Sequence, residues 1–274
     1  MRVVGLISGG KDSSYNLMKC VQDGHELVAL VNLYPAELQD ELDSYMYQTV
    51  GHAWIDCYSE AIGLPLFRQP IQGNPVNTQL EYVGPLESTE AEGAKETKRS
   101  NDHDEVEDLF DVLQRVKKAV DFDAVSVGAI FSTYQGNRVK DVCARLGLEM
   151  LAYLWQREQK QLLDDMIQDQ VNAIFIKVAA IGLDPHQHLG KTLSEMRPVL
   201  HLLNEKYQIN VCGEGGEYET FTLDCPLFRK RIELIEPEVR IHSDDAFAQV
   251  GYLASKSIRL VVKQPQEMDF SQED

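Results

Sequence analysis

Two short strings in this chain carry residue types that could do chemistry. The first is Ser8-Gly9-Gly10-Lys11-Asp12-Ser13. Its glycines let a backbone approach a ligand closely, and its serines add hydroxyl donors. Where such a string opens a helix, free N–H groups and a partial positive charge favour an anion, so it reads as a phosphate cradle. The second is Cys212-Gly213-Glu214-Gly215-Gly216-Glu217-Tyr218-Glu219-Thr220-Phe221-Thr222-Leu223-Asp224, a glycine-rich stretch with three glutamates and a tyrosine. Clustered carboxylates attract a cation, and an aromatic face can bind a quaternary ammonium.

The elements around the first string decide whether it can act as a cradle. Residues 3–7 are a short β-branched run, residues 14–21 put Leu17, Met18 and Val21 on one helical face, and residues 27–33 form a second apolar run. This is a β-α-β unit, whose crossover favours a parallel sheet, and the unbroken apolar character of residues 28–31 fits a strand covered on both faces. The cradle then falls at the carboxyl edge of the sheet, where open α/β folds bind ligands. A helix within residues 45–62 and a strand at 66–71 follow. Residues 72–104 hold too few apolar side chains for a core and read as a flexible insertion; from Glu87 to Asp111 there are ten acids and three bases. Order resumes with a helix from Val106 to Val116, a strand at 124–130 and a helix at 138–146.

Beyond residue 148 a strand at 172–178, a helix at 193–207, a strand ending at Cys212 and an extended segment at 231–241 form a second α/β region. The expected division is 1–147 for the nucleotide, 148–245 for the second substrate, and 246–274 as a partly flexible extension. His188-Leu189-Gly190-Lys191-Thr192 imitates the end of a Walker A loop, but Pro185 stands at the earlier glycine position, so the string reads as the start of the 193–207 helix.

A net charge of -18 argues against affinity built on neutralising a nucleic-acid backbone. Five scattered cysteines give no disulfide framework and no zinc spacing. No apolar run approaches a signal peptide or a membrane span, so a cytoplasmic setting is expected. Oligomeric state stays open, with a homodimer among the options.

The string from Ser8 to Ser13 resembles the signature of the PP-loop ATP pyrophosphatases. The resemblance implies a Rossmann-like α/β fold of the adenine nucleotide alpha hydrolase type, and cleavage of ATP to AMP and pyrophosphate with Mg2+ on the phosphates. Asp12 is then the candidate metal ligand, and Lys11 and Asp12 are candidate catalytic groups. Three further strings extend the likeness: residues 41–52 (Glu-Leu-Asp-Ser-Tyr-Met-Tyr-Gln-Thr-Val-Gly-His), residues 126–130 (Ser-Val-Gly-Ala-Ile) and residues 151–157 (Leu-Ala-Tyr-Leu-Trp-Gln-Arg). Together with Gly182-Leu183-Asp184 and the glutamate-rich string, they resemble the diphthine-ammonia ligase (diphthamide synthase) family.

That likeness implies amidation, with ammonium, of diphthine on elongation factor 2, a modified histidine bearing a carboxylate and a trimethylammonium. It sets Ser8, Gly9, Gly10, Lys11, Asp12, Ser13, Ser14, Asn32, Gly128 and Ser132 around the nucleotide. Tyr45, Gln135, Arg138, Trp155, Gly215, Gly216 and Tyr218 fall on the substrate side. Glu214, Glu217 and Glu219 would hold the trimethylammonium, bind ammonium or take its proton, with Glu217 the foremost of the three. Residues 132–138 depart from the family pattern, which carries an acid and a further arginine there, so Thr133 and Gly136 are given no role. Two rivals remain open: a PP-loop tRNA-modifying enzyme, which needs a basic surface and reactive cysteines, and a nucleotide-binding module without catalysis.

Overall fold

The computed structural model describes residues 1–35, 51–77, 79, 82, 104–243 and 248–264. Strand β1 (Arg2–Leu6) runs into helix α1 (Lys11–Gln22) and returns as β2 (Glu26–Pro35). After short turns at His52–Trp54 and Ser59–Gly63 come β3 (Leu66–Ile71), α2 (Glu105–Ala119), β4 (Ala124–Ser126), α3 (Thr133–Leu146) and β5 (Glu149–Leu151). These strands form one sheet in the order β3-β2-β1-β4-β5, with every neighbouring pair parallel.

One face of the sheet, through Val4, Ala29, Val31 and Val125, packs on Val106, Leu109, Val112 and Leu113 of α2 and Val139 and Val142 of α3. The other face meets Leu17 and Met18 of α1 and the second unit. Both faces are therefore dry, which is why the central strands are apolar throughout.

The second unit contains α4 (Gln159–Gln168), β6 (Asn172–Val178), the short α5 (Pro185–His188), α6 (Leu193–Tyr207), β7 (Tyr218–Asp224), β8 (Lys230–Ser243) and β9 (Val250–Val262). Its strands form an antiparallel sheet in the order β7-β6-β9-β8. One apolar cluster joins the two units: Trp54, Ile55 and Tyr58 from the first pack with Phe221, Ile176 and Phe228 from the second. Phe221 meets Trp54 and Tyr58 edge-on, with ring centroids 5.3 and 5.5 Å away.

Several elements differ from the sequence expectation. The strand expected at 124–130 stops at Ser126 because the chain peels away toward the cleft, while Ser132 caps α3, accepting from the Gln135 N–H at 3.3 Å, and starts that helix at Thr133 instead of Arg138. The strand expected to end at Cys212 is a turn instead: Gln208 takes a left-handed conformation with φ of +57°, and pairing resumes only at Tyr218.

The parallel sheet runs past residue 147 to include β5, and residues 250–262 form β9 inside the second sheet. Most of the 72–104 insertion lies outside the described residues, and of the helix expected within 45–62 the described part, 51–62, forms short helical turns at His52–Trp54 and Ser59–Gly63 rather than one continuous helix. The described flanks of the insertion are tied down, with Gln72 and Gly73 N–H donating to Asp108 Oδ2 at 2.8 and 2.9 Å, and Asn77 N–H to Asp104 Oδ2 at 2.9 Å. Tyr82, also at the described edge of the insertion, is buried as well. Residues 188–192 lead into α6, where Thr192 and Glu195 form a reciprocal capping pair.

Candidate active site

The first loop is shaped by its own hydroxyls and glycines. Ser8 Oγ accepts from the Gly10 N–H at 3.2 Å, and Ser13 Oγ donates to the Gly10 carbonyl at 3.1 Å. Gly9 has φ of +89°, and a Cβ there would stand 2.6 Å from Ile55 Cδ1. A Cβ on Gly128 would stand 2.6 Å from Ser13 N, so only glycine lets the end of β4 press against the first turn of α1. The α1 N-cap, Gly10, brings no side-chain cap.

Lys11 and Asp12 begin α1 and join this loop to the second unit. Lys11 N–H donates to Thr220 Oγ1 at 3.1 Å, and its ammonium donates to the Cys212 carbonyl at 2.5 Å and to Asp12 Oδ2 at 2.8 Å, 5.1 Å above the Tyr218 ring. Burial, the largest single influence, opposes the charge on Lys11, but the Asp12 carboxylate together with the neighbouring Tyr218 and Cys212 groups holds the pKa above the ordinary lysine range. The other Asp12 oxygen, Oδ1, is buried without a hydrogen-bond partner.

The second loop reaches back. The Glu214 carboxylate crosses to accept from the Phe131 N–H at 2.9 Å, just ahead of α3. Burial, and then the negative charge of Asp12, push its pKa up. Glu219 pairs with Lys177 of β6 at 3.4 Å. The Glu217 carboxylate turns instead to the loop's own backbone, accepting from Asn210 N–H at 2.8 Å and Gly215 N–H at 2.7 Å.

Between the loops lies a cleft of about 490 Å³. From the first unit it is lined by Ser8, Lys11, Asp12, Ser13, Asn32, Gly128, Ser132 and Gln135, and from the second by Glu214, Gly216, Tyr218 and Glu219. Gly9, Gly10 and Ser14 belong to the loop and the first turn of α1 without lining the cleft, and neither Glu217 nor Gly215 lines it. Arg138 is fully buried, donating to the Tyr134, Asn77 and Gln79 carbonyls, so it binds the insertion's flank to α3. Trp155 packs over Gly136, where an added Cβ would meet its ring at 3.2 Å. Tyr45 lies outside the described residues.

Comparison with known proteins fits this geometry. The family model for the diphthamide synthase N-terminal domain matches residues 1–96 and 85–150, and that for the C-terminal domain matches residues 158–255. The chain belongs to the diphthamide synthase family. A diphthine–ammonia ligase from Danio rerio is 56% identical over 92% of this chain and 94% of its own length. One from Homo sapiens is 56% identical over 95% of this chain and 92% of its own. The Schizosaccharomyces pombe ligase is longer, with 50% identity over 94% of this chain but 39% of that protein. A solved structure titled as a predicted subunit of tRNA methyltransferase, from Methanocaldococcus jannaschii, covers 82% of this chain and 97% of its own at 14% identity, with a TM-score of 0.35.

Within this diphthamide synthase cleft, sequence reasoning passed over one wall and one bond. The wall is apolar, made by Val31, Leu33, Leu109, Val127 and Val139. Its signal was present in the unbroken apolar run of β2, which continues to the ligand-binding edge. The bond is that of Thr220 to Lys11, for which a threonine near a glutamate gives no signal. Tyr218 is unsuited to embrace a ligand cation, since it is stacked on Phe175 at 4.2 Å, covered by Lys11 and donates its hydroxyl to the Val211 carbonyl at 2.7 Å. All five cysteines are buried, and burial pushes the Cys57, Cys143, Cys212 and Cys225 thiols up to about 12.

Proposed function

We propose that this protein amidates the diphthine carboxylate of elongation factor 2, consuming ATP and ammonium and releasing diphthamide, AMP and pyrophosphate. One observation carries the reading: a phosphate-type loop and a carboxylate-bearing loop line one cleft and are joined across it by Lys11. A diphthine residue presents a carboxylate and a trimethylammonium on one side chain, and the cleft meets both with groups of suitable charge.

In this reading the apolar wall receives the adenine, and the N-terminus of α1 with Ser8 and Ser13 receives the β- and γ-phosphates. A diphthine carboxylate oxygen attacks the α-phosphorus, and the bond to the β-phosphate oxygen breaks to release pyrophosphate. Ammonium first loses a proton to a base, the ammonia nitrogen then attacks the acyl carbon, AMP leaves with the bonding pair, and the second surplus nitrogen proton passes to solvent or a base. Glu214 and Glu219 are the cleft carboxylates placed to hold the cationic group or take that proton. Asp12 Oδ1, a buried carboxylate oxygen without a protein hydrogen-bond partner, would hold a Mg2+ ion, which would offset phosphate charge there. Glu217 shapes the loop in this scheme, and Arg138 and Trp155 support α3 from behind.

Buried thiols and a net charge of -18 leave the tRNA-thiolation alternative without its reactive groups or its basic surface. No described helix is long and apolar enough to cross a membrane, and elongation factor 2 as substrate places the enzyme in the cytoplasm. The test is incubation with diphthine-bearing elongation factor 2, ATP and ammonium, followed by mass measurement of the modified peptide and assay of AMP. Conversion of carboxylate to amide with one AMP per amide is expected. AMP release without amide, or no turnover, would overturn the proposal.

A further inference from the structure

We propose that Glu217 is a positioning residue, whose carboxylate holds residues 210–217 in the shape that carries Glu214 across the cleft. The role rests on the ligase reading only in assigning Glu214 to the cationic substrate; the geometry stands apart from it. Glu217 is not among the residues lining the cleft, although it lies between two glutamates that are.

Three of the four residues at 213–216 are glycine, and Gly213 and Gly216 have φ of +79° and +81°. A backbone so free takes one path only if something fixes it. The Glu217 carboxylate spans the run, taking the Asn210 N–H on one oxygen and the Gly215 N–H on the other. A Cβ on Gly215 would lie 2.8 Å from Glu217 Oε1, so the chain lies directly over the carboxylate. The Glu217 carbonyl accepts from the Ala179 N–H at 2.8 Å, fastening the clasp to the end of β6.

Glu214 immediately precedes Gly215. Fixing the Gly215 amide therefore fixes the direction from which the Glu214 side chain reaches the Phe131 N–H. The other end of the clasp acts on the Lys11 contact: Asn210 Oδ1 accepts from the Cys212 N–H at 2.8 Å, and the Cys212 carbonyl holds the Lys11 ammonium. A glutamine at 217 keeps the shape but not the chemistry, because its amide oxygen accepts one N–H while its NH2 meets the other donor to donor.

The test has two arms. In amide hydrogen exchange on the full chain, Glu217→Gln should speed exchange at Asn210 and Gly215 about tenfold while the α1 amides keep their protection. This arm holds whatever the substrate, so unchanged exchange overturns the clasp and leaves the ligase reading standing. In steady-state kinetics with diphthine-bearing elongation factor 2, Glu217→Gln should raise KM for that substrate about tenfold and move KM for ATP by no more than about twofold.

The double variant with Glu214→Gln decides the route of action. Working through Glu214, the Glu217 change adds nothing further to KM. Effects that multiply would show Glu217 meeting substrate on its own, and a matching loss of ATP affinity would show a general fold defect; either overturns the proposal. An unaltered KM in Glu214→Gln alone would instead defeat the Glu214 assignment, and with it this role for Glu217. Should Glu217→Gln fail to fold, Gly215→Ala presses a Cβ into the same carboxylate and carries the same two arms with the same outcomes.

Discussion

The two loops that face each other across the cleft are held by opposite means. The phosphate-type loop takes its shape from where it sits, between a buried parallel strand and the first turn of a helix, with Gly9 and Gly128 giving room for close approach. The glutamate loop sits on no such frame. It follows a left-handed helix end at Gln208 and is fastened by side chains: Glu217 to two amides, Gln159 Oε1 to the Val211 N–H at 2.5 Å, and Lys11 to the Cys212 carbonyl. A loop of the first kind needs only short hydroxyl contacts of Ser8 and Ser13 to Gly10, whereas a loop of the second kind spends a charged side chain on its own backbone. Three neighbouring glutamates therefore have three different surroundings.

The strongest test of this contrast is Asp12→Asn. On the frame-held loop a near-isosteric change should leave thermal stability within a few degrees, yet cut turnover by about 10² to 10³, as for loss of one charge-stabilising group. Stability lost on the scale of a core truncation would mean that the frame depends on Asp12 after all.

Next is Gly128→Ala, which drives a Cβ into the α1 backbone and should cost roughly 1–3 kcal/mol in denaturant unfolding, with ATP affinity falling alongside. Unchanged stability would show that the frame yields more easily than the close approach suggests.

Glu214→Gln should raise KM for the protein substrate about tenfold, and its pH behaviour sharpens the point. Burial and Asp12 raise the Glu214 pKa, so folding favours the protonated form. The stabilising contribution of that form is complete below the unfolded carboxyl pKa and is lost as pH rises through the folded value. The variant should thus be more stable than the parent at neutral pH and equal to it in acid. In kcat/KM profiles the acid limb should lie above the ordinary glutamate range in the parent and shift in the variant. An acid limb identical in both would assign the titration to another group.

The smallest effect belongs to Tyr58→Phe. The Tyr58 hydroxyl lies 2.8 Å from both the Gly9 and Thr222 carbonyls, donating to one at a time. Its loss should cost about 1–2 kcal/mol of stability and leave KM for ATP nearly unchanged.

The same contrast explains what the sequence allowed one to read. A strand, a Ser-Gly-Gly-Lys-Asp-Ser string and an amphipathic segment are local signals, and the frame they imply is the one present. The partition of the glutamates was not legible, because it depends on Lys177, Phe131 and Asn210, which lie far apart in sequence or present only a backbone group. Arg138 illustrates the limit in another way. Its motif placed it beside the ligand, but the Tyr134 ring, whose centroid lies 3.2 Å from its guanidinium carbon, and the carbonyls of Asn77 and Gln79 draw it into the interior. Nothing in the composition of residues 72–82 announces those carbonyls as its partners. The short β5 and the helix α4 passed unread for a plainer reason, since a three-residue strand and a ten-residue helix give little periodicity to detect.

Strand β7 is the outer strand of its sheet, and an outer strand normally offers its N–H and C=O groups to any passing chain. Here Thr222 N–H is spent on the Gly9 carbonyl at 2.8 Å, so the nucleotide loop stands where another strand would dock. During synthesis this has a direct consequence. A nascent chain that has emerged only as far as β5 lacks both the strand that braces Gly9 and the Phe221 ring that packs against that loop's surroundings. The cleft is thus complete only when β7 has joined the first unit, since Tyr218, Glu219 and Thr220 are part of its lining.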